Sequence, residues 1–129
     1  MNRYENYSDS HIDLLGTLPA HWEIHRIKDV AGINEEALDE DTAPEYLLQY
    51  IDIGNVSSNG KIAEIQELQF KDAPSRARRK VKDGDTILST VRTYLKAISY
   101  IQEAPDNLIA STGYAVFRPQ SRISPKFLY

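Results

Sequence analysis

The 129-residue sequence contains no cysteine, so disulfides and cysteine-based zinc sites are excluded. It has no apolar run of the roughly 18 to 20 residues that a membrane-spanning helix needs, and its first residues lack the basic-then-apolar pattern of a signal peptide. These absences favour a cytoplasmic protein with no membrane segment. Hydrophobic residues make up 41% of the chain and charged residues 26%, which is typical of one globular domain.

Lysine and arginine are also absent from residues 29–52, which carry eight aspartates and glutamates. Residues 71–96 have the opposite character, with eight lysines and arginines against three aspartates. The formal net charge of the chain is −4, yet such segregation creates a local field that attracts a polyanion. The acidic residues 35–45 show no periodicity, so we predict an exposed loop that faces away from a bound polyanion and meets another subunit.

Short apolar segments separated by turn residues predict a sheet-rich α+β domain. The predicted strands lie within residues 46–56, 61–70, 84–91, 95–101 and 107–119. Trp22 and Ile24 alternate like one further strand, and a single helical turn is predicted from Ile27. Ser124 followed by Pro125 marks the start of a second helix.

The sequence has no pattern that is typical of catalysis. His21 and His25 have the i, i+4 spacing of a helical zinc pair, but the glutamate of HWEIH stands in the wrong place for the metalloprotease motif. A nucleophile elbow, a phosphate-binding glycine loop and a calcium loop are absent as well. We therefore predict no enzymatic activity, no metal and no cofactor.

The segment APSRARRKVKDGDTILSTVRTYLKAI, residues 73–98, combines cations, hydroxyls and a tyrosine as nucleic-acid-binding surfaces do. If the segment is extended, Arg76 and Arg78 lie on one side and Arg79 breaks the alternation. Arginine forks match phosphate oxygens and also guanine edges. The alternatives are a sheet edge protected by charge, or a protein-interaction module whose basic run 76–96 binds an acidic partner surface.

Four segments, spread over nearly the whole chain, resemble a target recognition domain from the specificity subunits of type I restriction–modification systems. They are YSDSHIDLLGTLPAHWEIHRIKDVA, LLQYIDIGNVSSNGKI, the run of residues 73–98, and IASTGYAVFRPQSRISPKFLY. The resemblance implies a twisted, mainly antiparallel sheet with few short helices. Residues 1–129 would form the first part of one recognition domain, with the trailing helix truncated after residue 125.

The same resemblance implies a subunit without catalysis of its own. In this family the specificity subunit recognises double-stranded DNA, while methyltransferase and restriction subunits modify adenine or cleave the DNA. The basic residues 76–80 would then rest on phosphates, and four or five contacts would give a salt slope of about −4, at roughly −0.9 per contact.

The segment Ser89–Lys96 would lie near the same DNA face, and base contacts are assigned to loop 34–45 or loop 55–61. Asp83 and Asp85 are attributed to the turn that precedes a strand rather than to base reading. The predicted DNA-binding residues are Arg76, Arg78, Arg79, Lys80, Ser89, Thr90, Arg92, Tyr94, Lys96, Asn55, Asn59 and Lys61.

Overall fold

The computed structural model describes residues 4–129, and this part of the chain folds mainly into strands. Its strands are β1 (Tyr7–Asp9), β2 (Thr17–Pro19), β3 (Ala31–Ile33), β4 (Leu47–Ile51), β5 (Gln66–Gln69), β6 (Ala77–Lys80), β7 (Thr86–Ser89), β8 (Ile98–Tyr100), β9 (Leu108–Ser111) and β10 (Tyr114–Pro119). Its helices are α1 (Ile27–Val30) and α2 (Pro125–Leu128), with 3₁₀ turns at Phe70–Asp72 and Thr93–Leu95. Between residues 4 and 129, no helix is long and apolar enough to cross a membrane.

The strands form two four-stranded sheets and a separate β1–β2 hairpin. The first sheet has the order β3-β10-β7-β8 and is antiparallel throughout. The second has the order β5-β4-β9-β6, in which β4 and β9 run parallel and the other neighbours antiparallel. The predicted fold, sheet-rich and mainly antiparallel with few short helices, is confirmed.

The central strand β9 explains where the core lies. All four of its residues are buried, and the first three alternate between two apolar clusters as the period of a strand requires. Leu108 and Ala110 pack with residues of both sheets, whereas Ile109 packs on the opposite face of the second sheet. A strand covered on both faces reads as a continuous apolar run, which is why its position could be predicted.

The N-terminal region differs from the prediction. Trp22 and Ile24 form no strand and remain 46% and 48% exposed. The strands of this region are β1 and β2 instead, which pair with each other from Tyr7 to Pro19. The helical turn at Ile27 and the helix that starts at Pro125 agree with the prediction.

The acidic segment is only partly the free loop that the sequence predicted. Leu38 donates its backbone N–H to Arg78 O over 2.8 Å, and Lys80 donates to Glu36 O over 3.1 Å. Residues 36–38 therefore lie along the outer edge of β6 and satisfy backbone groups that an edge strand otherwise exposes. Leu38 is buried there, so the start of the acidic segment packs against the basic strand instead of facing away from it.

Candidate nucleic-acid interface

The basic run does not form one surface. Arg76 precedes β6 beside the end of β9, whereas Lys80 ends β6 opposite Ile109. The four residue steps from Arg76 to Lys80 correspond to about 13 Å along a strand, at roughly 3.3 Å per residue. The run therefore contributes its cations to two opposite ends of the second sheet.

The middle arginines of the run contact the protein itself. The Arg78 guanidinium lies 4.6 Å from the centre of the Phe70 ring and donates to Ala77 O over 3.0 Å. The register of β6 against β9 shifts between Ala77 and Arg79, so Arg78, and not Arg79 as predicted, interrupts the alternation. The Nε atom of Arg79 is buried without a hydrogen-bond partner in the described part of the chain.

At the end of β6 that holds Lys80, the neighbouring cations are neutralised by carboxylates. The Nζ atom of Lys82 lies 2.5 Å from Glu36 Oε2, and Arg118 contacts the same carboxylate. Hydrogen bonds from Lys82 and then Arg118 hold the pKa of Glu36 below its ordinary value. Arg118 also binds the buried Asp85, whose hydrogen bonds raise the pKa of the guanidinium.

The turn assigned to Asp83 and Asp85 has a clear structural basis. Asp85 Oδ2 accepts the backbone N–H of Lys82 over 2.8 Å, which closes the turn before β7. Asp83 Oδ1 accepts the backbone N–H of Ala104 over 2.6 Å and so ties this turn to a neighbouring loop. Both carboxylates are therefore used within the fold.

At the end of the second sheet opposite Lys80, several predicted residues lie on one surface. We call this surface the rim and define it as Asp52, Arg76, Thr90–Lys96 and Thr112–Gly113. Thr112 donates its N–H to Arg76 O over 2.8 Å, and Thr90 donates its N–H to Gly113 O over 2.9 Å. The Thr90 hydroxyl binds Gly113 O as well, over 2.8 Å. The turn between β9 and β10 thus joins Arg76 of the second sheet to the β7–β8 loop of the first.

The β7–β8 loop is the most exposed part of the rim. The bond from Ser89 N–H to Ala97 O, 2.9 Å long, closes it. Arg92 and Lys96 flank its 3₁₀ turn with left-handed backbones, at φ of 53° and 52°. Such a backbone is uncommon for residues other than glycine. The loop therefore has a specific backbone conformation at both of its cations. Tyr94, between them, is 75% exposed.

Ser89 has a structural role in this loop. Its side chain is buried, and its hydroxyl donates to Val91 O over 2.7 Å. The loop presents apolar side chains as well as cations, since Val91 is 48% and Leu95 is 50% exposed.

Arg76 is held by a carboxylate and a phenol. Its Nε atom lies 3.1 Å from Asp52 Oδ1 and 3.2 Å from Tyr50 Oη, and its Nη2 atom lies 3.3 Å from Asp52 Oδ2. Burial acts to raise the pKa of Asp52, but hydrogen bonds, above all from Arg76, outweigh it and lower that pKa. The pKa of Arg76 is raised by the same contacts, so both groups are charged at neutral pH.

The backbone of Asp52 is held by a residue of the core. Tyr114 is completely buried and donates its hydroxyl to the backbone oxygens of Asp52 and Ile53, over 2.9 and 3.1 Å. Burial raises the pKa of Tyr114 to about 12. The phenol is therefore protonated at neutral pH and available as a donor.

The hairpin of residues 55–61 begins beside Asp52 of the rim and packs against β8. Gly60 O accepts the hydroxyl of Ser99 over 2.7 Å, which places this hairpin against β8, just after the β7–β8 loop. Asn55 Oδ1 accepts the backbone N–H of Asp52, and Asn59 Oδ1 accepts that of Lys61. Both asparagines thus shape turns, whereas the side chain of Lys61 is exposed and has no ion pair within residues 4–129.

Asp52 was missed by the sequence analysis, as was the Thr112–Gly113 turn. Asp52 lies 24 residues before Arg76, and no local pattern connects a carboxylate with a partner so far away. The Thr112–Gly113 turn did have a signal, because a small-residue pair follows a buried apolar strand.

His21 and His25, the two candidate metal ligands, contact different partners. His25 Nε2 lies 2.8 Å from Glu23 Oε2, and the His21 ring packs 5.1 Å from that of Tyr4. Across the described range 4–129, no group of three or more histidines, aspartates and glutamates is arranged to hold a metal ion.

Comparison with known proteins points to one class. No protein-family model matches the sequence. The chain is similar to the HindI specificity subunit of a type I restriction enzyme from Haemophilus influenzae, with 26% identity over 109 residues. The match covers 84% of this chain and 23% of that protein.

Solved structures agree. The fold is similar to the HsdS subunit of Thermoanaerobacter tengcongensis, with a TM-score of 0.78 and 36% identity. A second structure, described as showing complex assembly and conformational transition of the type I restriction–modification system, gives a TM-score of 0.79 and the same 36% identity. Each match covers 87% of this chain and 29% of the other.

All three relatives are specificity proteins or assemblies of type I restriction–modification systems. More particularly, the chain is similar over most of its length to type I specificity subunits, which confirms the resemblance drawn from the sequence. It spans about a quarter of the length of the relatives that it matches.

Proposed function

We propose that this chain recognises a specific sequence in double-stranded DNA through the rim. In this role residues 1–129 are the first part of a target recognition domain that directs adenine methylation or cleavage by methyltransferase and restriction subunits. The chain itself carries out no catalysis, needs no cofactor and works in the cytoplasm.

The observation that carries the proposal is the match to the HsdS subunit, at 36% identity and a TM-score of 0.78 over 87% of the chain. The rim supports it from this chain's own residues. Arg92 and Lys96 extend from one exposed loop, and Lys61 lies on the neighbouring hairpin. These three cations have no ion pair within the described residues, in contrast to Arg76 and Lys82.

The sequence-based count of phosphate contacts is reduced by these findings. Arg76 is paired with Asp52 and Arg78 lies over Phe70, so neither adds a whole free charge to a DNA surface. Lys80 lies at the other end of β6. We therefore expect about three phosphate contacts, from Lys61, Arg92 and Lys96, and a salt slope of about −3.

The rival function is a protein-interaction module that binds an acidic partner. The exposed apolar side chains of Val91, Tyr94 and Leu95 favour this alternative, because protein interfaces need aromatic or aliphatic anchors. The two functions differ at these apolar side chains, because a protein interface needs them as anchors whereas phosphate contacts do not.

Binding to random-sequence duplex DNA across a salt series tests the proposal, followed by selection of preferred duplexes from a random library. The expected result is heparin-sensitive binding with a slope of about −3 and enrichment of one sequence. Binding without enrichment, or no binding at low salt, contradicts sequence-specific recognition by this chain.

A further inference from the structure

Within the rim, the pair formed by Arg76 and Asp52 has a geometry that differs from that of the loop cations. Asp52 binds the side edge of the guanidinium, through Nε at 3.1 Å and Nη2 at 3.3 Å. Tyr50 completes the contact, because its hydroxyl donates to Asp52 Oδ1 over 2.9 Å and accepts from Arg76 Nε. One edge of Arg76 is thereby fixed at three points.

The remaining edge is open. A guanidinium has five N–H donors in a planar fork. The Nη1 atom of Arg76 makes no hydrogen bond to any residue from 4 to 129, and about half of the side chain, 52%, is exposed. Nη1 and the second hydrogen of Nη2 form the end of the fork, where two parallel donors match the O6 and N7 acceptors of guanine.

The charge of the pair argues against a phosphate contact. Asp52 offsets the charge of Arg76, and a carboxylate this close would repel a phosphate oxygen that bound the same fork. A base edge carries no full charge, so the repulsion does not apply to it. Rigid orientation is also more useful for reading a base than for holding a phosphate, because two acceptors must meet two donors at the same time.

We propose that Arg76, oriented by Asp52 and Tyr50, reads a guanine edge in the major groove of the bound duplex. This inference rests on the proposed function and assigns a specificity-determining residue within it. Arg76 is the reading residue, and Asp52 is a positioning residue that acts through it. The phosphate contacts of the rim come from the loop and hairpin cations instead.

Arg76→Lys is the sharpest variant, because lysine keeps the charge and loses the planar fork. Library selection is performed at one salt concentration with the wild type, Arg76→Lys and Asp52→Asn, and thermal unfolding checks that each variant is folded. We expect the wild type to require guanine at one position. Arg76→Lys should lose about 5- to 150-fold of that preference, the range for a good bidentate contact, with other positions unchanged.

Asp52→Asn shows whether Asp52 orients Arg76 for base recognition or only stabilises the fold. Removing the carboxylate charge should raise the affinity for all duplexes and at the same time weaken the preference for guanine. A folding defect alone would instead lower the affinity for all duplexes. If the wild type selects a sequence and Arg76→Lys selects the same one equally strongly, Arg76 is a phosphate contact and the inference is wrong. If the wild type selects no sequence, the proposed function fails and the inference fails with it.

Discussion

Arg118 binds the carboxylate of Asp85 through two parallel hydrogen bonds, from Nε to Oδ1 over 3.0 Å and from Nη2 to Oδ2 over 2.9 Å. Asp85 is only 1% exposed, so this is a buried ion pair that joins β10 to the turn before β7. It lies at the end of the fold opposite the rim. Arg118 and Lys82 at that end therefore serve the fold, whereas Arg92 and Lys96 on the rim have no ion pair within the described residues.

Arg118→Ala is predicted to lower the free energy of unfolding by about 3–5 kcal/mol, because it leaves the Asp85 carboxylate buried without its counter-ion. Urea unfolding at neutral pH measures this change. Lys82→Ala is the matched control, since the Lys82 side chain is 59% exposed and its surface pair with Glu36 should contribute much less stability. Similar small losses in the two variants would contradict the structural role of Asp85 and Arg118.

The Asp52–Arg76 pair predicts a dependence of stability on acid. The pKa of Asp52 is lowered in the folded state, so the pair stabilises the fold above the ordinary carboxylate pKa of about 4. That contribution is lost as the pH falls through the lowered pKa of folded Asp52. Because the pair is partly exposed, Asp52→Asn should cost at most about 1 kcal/mol at pH 7.

Urea unfolding of wild type and Asp52→Asn at neutral pH and at successively lower pH tests the sign. The two stabilities should converge as the pH falls below about 4, where the wild-type carboxylate also becomes neutral. A difference that grows in acid would mean that the pKa of Asp52 is raised and not lowered.

Tyr114 predicts a complementary effect in base. Its pKa is raised to about 12, so the stability that depends on its protonated form is complete below about pH 10 and is lost as the pH rises through about 12. Tyrosinate absorbance of the folded protein should show a late-titrating group that disappears in Tyr114→Phe. The variant should also lose about 1 kcal/mol of stability, since two backbone oxygens lose their shared donor.

Patterns of neighbouring residues in the sequence correctly predicted some strands and helix starts. The strand β9 was predicted because it is a continuous apolar run, and the start of α2 because Pro125 follows Ser124. The hairpin of β1 and β2 was not predicted, since its exposed residues carry no apolar alternation.

The contacts that the sequence could not indicate are those between distant residues. Glu36 and Lys82 read as members of two separate charged segments, yet folding brings them into contact. The same holds for Asp52 and Arg76, so a count of charges along the chain overstated the free positive charge near Arg76. Among the described residues of the basic run, Arg92 and Lys96 of the β7–β8 loop are the exposed cations without an ion pair.

The salt dependence of DNA binding by two charge-matched double variants tests most directly whether DNA binds at the rim. Arg92→Ala/Lys96→Ala removes two cations from the rim. Lys71→Ala/Lys80→Ala removes two from the opposite end. Lys71 lies two residues after Gln69, which pairs with the first residue of β4, and Lys80 ends β6. The first variant should reduce the magnitude of the salt slope by about 2, and the second should leave it unchanged. Equal reductions, or a reduction only in the second variant, would contradict the placement of DNA on the rim.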